Sequence, residues 1–128
     1  MAMRNPYGGL NQYKQNNIMT APPQELTLML YNGAVKFVNQ AILFIEQKNI
    51  QKSHEAIIRA NDIITELNAT LDMKYEVSKG LRAIYDFISE KLVDANIKKD
   101  KGILEEVLPL ITELRDTWKQ AMELAKKR

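Results

Sequence analysis

The chain has 128 residues, enough for one domain with a hydrophobic core of its own. Hydrophobic residues make up 45% and charged residues 27%, the balance of a globular protein and not of a disordered one. The 18 basic and 16 acidic residues are interleaved and leave a net charge of +2, so nothing favours nucleic acid or an anionic membrane as the main ligand.

Cysteine is absent, which excludes disulfides, thiolate nucleophiles and cysteine-based zinc sites. No uninterrupted apolar run approaches the roughly 18 residues that span a bilayer, so membrane insertion is not expected. Residues 1–17 are polar and contain Pro6, Gly8 and Gly9, unlike a secretion signal. The expected compartment is the cytoplasm. The basic run Lys126-Lys127-Arg128 reads as a solvated tail.

Residues 1–20 read as a mobile N-terminal arm and residues 21–128 as a bundle domain. Pro22 and Pro23 can open the first helix, because the first turn has no use for their missing N–H groups. That helix runs to about residue 47. Wound at about 100° per residue, it places Leu26, Leu30, Ala34, Phe37, Ala41 and Phe44 on one face. Val38 and Ile45 lead round to a second strip of Tyr31, Val35 and Ile42, with Leu28 at its edge. The apolar arc is roughly 200° wide, whereas covering one core takes about 100° or slightly more. Two neighbours in a bundle use much of that arc, and the surplus implies a surface left for a partner.

The second helix spans about residues 50–71, with Ile57, Ala60, Ile64, Leu67 and Leu71 on one stripe. Residues 72–76 break the pattern. The third helix covers about residues 77–96 and directs Leu81, Ile84, Ile88, Leu92 and Ala95 inward. Asp100 is an N-cap for the fourth, which continues to about residue 126 with a stripe of Leu104, Val107, Ile111, Leu114, Trp118, Met122 and Ala125. Pro109 lies inside it and costs an ideal helix about 3 kcal/mol or more, so a kink or a short helix joined to a long one is expected there. Four amphipathic segments with connections this short predict an all-α fold, an antiparallel four-helix bundle.

The catalytic classes fall by elimination. His54 is the sole histidine, so a di-iron bundle, which needs Glu-x-x-His on two helices, is excluded. A histidine phosphotransfer module needs small neighbours and a cation around its imidazole. His54 is followed instead by Glu55, Ala56, Ile57 and Ile58 and reads as a solvated helix residue. The carboxylates sit on polar faces near lysine or arginine, and the five glycines form no phosphate loop. Neither an enzyme nor a cofactor or metal site is expected.

What remains is surplus hydrophobicity. Ile58, Thr65 and Ala69 lie opposite the main stripe of the second helix, and Gly80, Ala83 and Phe87 form a second strip on the third. Small side chains beside a large apolar one suit a groove that receives another helix. The expected binding residues are therefore Leu28, Tyr31, Val35, Ile42, Ile58, Thr65, Ala69, Ala83 and Phe87. The competing reading is a self-associating structural or adaptor bundle, whose apolar faces serve a homodimer and no unfolded client.

The run Thr20-Ala21-Pro22-Pro23-Gln24-Glu25-Leu26-Thr27-Leu28-Met29-Leu30-Tyr31-Asn32-Gly33-Ala34-Val35-Lys36-Phe37 resembles the opening helix of the flagellar secretion chaperone FliS family. Further blocks agree in order and spacing. They are Arg59-Ala60 with Ile63-Ile64-x-Glu66-Leu67 and Thr70-Leu71-Asp72, Ile84-Tyr85-Asp86 with Leu92-Val93-x-Ala95-Asn96, and Glu106-Val107 with residues 114–121. This chain has Pro22 where the family usually places Ser or Thr, so the helix cap is lost or moves to Thr20.

The resemblance implies a bacterial cytoplasmic chaperone. It would bind the C-terminal segment of flagellin, keep it unpolymerised and deliver it to the flagellar type III export apparatus. Ordering a flexible client costs about 2–5 kcal/mol or more, and each fully buried Leu or Ile returns roughly 1.5–3 kcal/mol. A long client segment wrapped around the bundle is therefore expected. Tyr7, Leu10, Tyr13 and Ile18 give the arm apolar anchors with which to cover part of the client groove when it is empty. In the family the arm is also implicated in docking to an export gate component.

Overall fold

The computed structural model describes residues 22–127. Four helices follow one another: α1 (Pro23–Glu46), α2 (Ile50–Ala69), α3 (Glu76–Lys98) and α4 (Lys101–Lys126). Each packs against two neighbours in a closed ring, α1 between α2 and α4, and α3 likewise between α2 and α4. The connections are too short for anything but antiparallel neighbours. The predicted arm lies outside the described residues.

Local chemistry explains the boundaries. Pro23 occupies the first turn of α1, and Pro22 precedes it with extended backbone and no side-chain cap. The cap that Ser or Thr would supply is thus absent at this position, and Thr20 lies outside the described residues. Asn49 caps α2 by accepting from the Lys52 N–H at 3.1 Å. Asp100 caps α4 by accepting from the Gly102 N–H at 2.8 Å. Lys48 and Lys99 adopt left-handed backbone, φ 59° and 49°, in the turns that follow α1 and α3. Such turns normally take glycine. At Lys99 the side chain contributes an anchor of its own, with Nζ donating to the Asn96 carbonyl at 2.7 Å.

The core is a continuous column of aliphatic side chains. It includes Val38 and Ala41 from α1, Ile57, Ile63, Ile64 and Leu67 from α2, Ile88 and Leu92 from α3, and Leu104, Val107 and Ile111 from α4. The α2–α3 seam is closed on the outside by polar pairs in antiparallel register. Asn96 Nδ2 meets His54 Nδ1 at 2.9 Å, Ser89 donates to Asn61, and Asn68 Nδ2 donates to Asp86 at 2.8 Å. At the other end of α1, Lys101 bridges to Glu46 at 2.9 Å.

Three expectations are narrowed or changed. The fourth helix continues as one helix through Pro109, so of the two expected outcomes the short helix joined to a long one is not formed. Pro109 and Glu105 are both exposed, so the proline lies on the solvent side of α4, where a helix tolerates a lost hydrogen bond best. On α3 the inward position is Tyr85 and not Ile84, which is 38% exposed. Finally, averaged over an 18-residue window, α1 is long and apolar enough to cross a bilayer, with mean hydropathy 1.3. Leu30, Tyr31, Ala34, Phe37, Val38 and Ala41 are nevertheless buried against the rest of the bundle, as in the central helix of a folded core.

Candidate functional site

Lys99 and Asp100 hold the C-terminus of α3 against the start of α4, and at the opposite end of the bundle a groove opens between these helices. It encloses about 1060 Å³. One wall is the N-terminal half of α3, with Val77, Leu81, Ala83, Ile84 and Phe87. The facing wall is the C-terminal half of α4, with Leu110, Leu114, Trp118 and Ala121. Leu26, Leu30 and Tyr31 of α1 form the floor, and Leu67 of α2 with Leu71 just beyond its end close one side.

The walls are apolar and partly exposed. Phe87 is 46% accessible and Val77, Ile84 and Tyr75 are also open to solvent, which places large apolar side chains around one concavity. Surface apolar residues scattered singly are ordinary, whereas a contiguous patch lining a groove marks a binding surface. From Val77 to Phe87 the α3 wall advances ten residues, about 15 Å at 1.5 Å per residue. A helix of about three turns fits that length.

Two polar features are built into the groove. Trp118 donates its indole N–H to the Gln24 carbonyl at 2.8 Å, so the ring is held across the end of the groove where α1 begins. At the floor the Tyr31 and Tyr85 hydroxyls meet at 2.5 Å. Desolvation raises both phenols above their ordinary pKa, with the mutual hydrogen bond opposing the shift at Tyr31 and adding to it at Tyr85. Both therefore stay neutral donors.

The residues singled out in the sequence are distributed unevenly. Tyr31, Ala83 and Phe87 come together in the groove. Tyr31 lies beneath the surface at 3% accessibility, its ring being part of the core. Val35 and Ile42 pack half-buried against the core, and Leu28 is half-buried elsewhere on α1. Ile58, Thr65 and Ala69 are exposed on α2, outside the groove, and Thr65 returns its hydroxyl to the Asn61 carbonyl at 3.0 Å. Gly80 is exposed and faces open space. Tyr7, Leu10, Tyr13 and Ile18 lie outside the described residues.

Several groove residues escaped the sequence reading. Ile84, Leu114 and Trp118 were assigned to core stripes because their helical spacing is right for a core; Leu114 and Trp118 do pack half-buried against it, and all three also line a wall that no described element covers. Among the described residues no three His, Asp or Glu side chains gather into a metal site. His54 is exposed and engaged with Asn96.

Comparison with known proteins agrees with this architecture. The family described as "FliS: Flagellar protein FliS" matches residues 3–125. The flagellar secretion chaperone FliS of Bacillus subtilis (strain 168) is 46% identical over 127 residues, covering 99% of this chain and 93% of that protein. The protein of the same name from Salmonella typhimurium is 34% identical over 119 residues, 88% of each chain. A crystal structure of a bacterial flagellar chaperone superposes with a TM-score of 0.74 at 21% identity, covering 93% of this chain and 98% of the other, which supports the fold. The family match and the two close relatives extend over nearly the whole sequence, and the chain belongs to the FliS family of flagellar proteins.

Proposed function

We propose that this protein is a cytoplasmic export chaperone that binds the C-terminal segment of flagellin, prevents its premature polymerisation and delivers it to the flagellar type III export apparatus. The observation that carries the reading is the apolar groove between α3 and α4, open to solvent in a chain whose relatives are named flagellar secretion chaperones. Polymerising subunits present amphipathic helices that need an apolar face covered until assembly. The groove offers about three helical turns of such cover, and Ile58, Thr65 and Ala69 on α2 offer a second surface to a client that continues around the bundle.

Titration of the chain with the C-terminal region of flagellin at two temperatures tests this. Saturable binding with a distinctly negative heat-capacity change is expected, the mark of apolar burial. Absence of both heat and a sedimenting complex would overturn it. The self-association reading makes the opposite prediction, a dimer indifferent to added flagellin. A chaperone that pairs through its empty groove instead dissociates when the client is supplied.

The arm, with Tyr7, Leu10, Tyr13 and Ile18, is assigned two tasks: covering the empty groove and docking to an export gate component. Its attachment point supports the first, since Pro23 lines the groove and the described chain starts beside it. Deleting residues 1–17 is expected to leave flagellin affinity unchanged or raised while export falls. A large loss of affinity in the same titration would instead make the arm part of the client surface.

A further inference from the structure

The tyrosine pair at the groove floor has one hydrogen to spare. Two phenol hydroxyls carry two donor hydrogens, and the contact between Tyr31 and Tyr85 uses one of them. No other hydrogen bond to either hydroxyl is made among the described residues. The two residues are only 3% and 2% exposed, so bulk water does not meet this donor freely. Both nevertheless line the groove, which is the open space beside them. A buried donor left without a partner is costly, and an occupant carrying an acceptor removes that cost.

The charges around the groove narrow the acceptor. Among the described residues Glu66, Asp72 and Glu113 line it and no Lys, Arg or His does; cations stand only at its rim, Lys74 at 3.6 Å from Asp72 and the Lys91 ammonium 5.6 Å from the Phe87 ring. A client carboxylate entering this apolar space would lose its hydration and meet like charges. A carboxamide or hydroxyl oxygen carries neither penalty.

We propose that the Tyr31–Tyr85 pair is a specificity determinant of the groove, donating its spare O–H to an uncharged side-chain acceptor (Asn, Gln, Ser or Thr) on the otherwise apolar face of a bound client helix. The inference rests on the groove being the client site. It sets the register of the bound helix, because an apolar groove alone tolerates sliding whereas one buried hydrogen bond is satisfied at one position.

The geometry predicts an unusual pattern on substitution. Tyr31→Phe or Tyr85→Phe alone leaves one hydroxyl, whose hydrogen is then free for the client. Only the double variant removes the last donor. Each variant is titrated with the C-terminal region of flagellin, and with versions in which each Asn, Gln, Ser and Thr is replaced in turn by an apolar residue of similar size. The double variant is expected to bind about threefold to tenfold more weakly than either single variant. It is also expected to be indifferent to the one client substitution that weakens the unmodified chain by the same factor.

Equal or tighter binding by the double variant overturns the proposal, as does a client scan in which no uncharged polar residue matters to the unmodified chain. That scan decides the question even if the double variant does not fold. Ile84→Glu separates the two levels of the argument, since Ile84 is a partly exposed groove residue. If it binds flagellin normally, the groove reading itself fails. If it loses binding while the double tyrosine variant keeps it, only the tyrosine inference fails.

Discussion

Phe87→Ser is expected to weaken binding of the C-terminal region of flagellin by about thirtyfold or more, the scale of a single aromatic anchor of about 2 kcal/mol. The ring stands 46% exposed on the α3 wall, with the Lys91 ammonium 5.6 Å from its centroid, so much of its apolar surface remains to be buried by an occupant. Serine and phenylalanine have similar helix propensities, and an exposed position contributes little to the core. The unfolding midpoint is therefore expected to stay within about 0.5 kcal/mol of the unmodified chain in urea titration. Loss of binding without loss of stability assigns the ring to the client. Unchanged affinity would remove Phe87 from the site, and with it the α3 wall.

Leu92→Ala lies five residues further along α3 and is expected to do the reverse. Leu92 is fully buried, enclosed in the cluster that joins all four helices. Truncation removes three carbons from close-packed surroundings that relax only partly, at a cost of about 2–5 kcal/mol. A domain of this size holds roughly 5–15 kcal/mol in total, so the urea midpoint falls sharply at an unchanged slope. Chains still folded below that midpoint should bind flagellin with near-normal affinity, since Leu92 does not line the groove. A stability loss under about 1 kcal/mol would mean that the α3 interface is loosely packed.

The contrast between Phe87 and Leu92 shows how far the sequence could be read. Helix number, order and approximate ends were legible because their signals are local. Pro23 at the first turn, Asp100 ahead of Gly102 and the recurrence of apolar residues every three or four positions each act within one turn of backbone. The left-handed turns at Lys48 and Lys99 were not legible. Lysine carries no preference for that conformation, and at Lys99 the Nζ bond to Asn96 comes from the folded turn itself.

The groove was legible only in part. The apolar strip with Ala83 and Phe87 pointed to the α3 wall, but no local pattern tells a stripe that meets a neighbouring helix from one that faces a gap. Leu104, Val107, Ile111, Leu114 and Trp118 form one continuous stripe on α4. The first three are buried in the core, while the last two pack half-buried against it and line the groove.

Tyr85 takes the inward position expected of Ile84 for a related reason, while Ile88, Leu92 and Ala95 face the core as expected. By hydrophobicity Ile84 is the better core residue, but the Tyr85 hydroxyl finds its partner on Tyr31, 54 residues earlier in the chain. Secondary structure, the Asp100 cap and the excess of apolar surface followed from the sequence by itself, because backbone hydrogen bonding and helical periodicity are short-range. Which of those surfaces become core, which become groove, and which polar groups meet inside was decided by tertiary structure alone, because burial is a property of the space between helices.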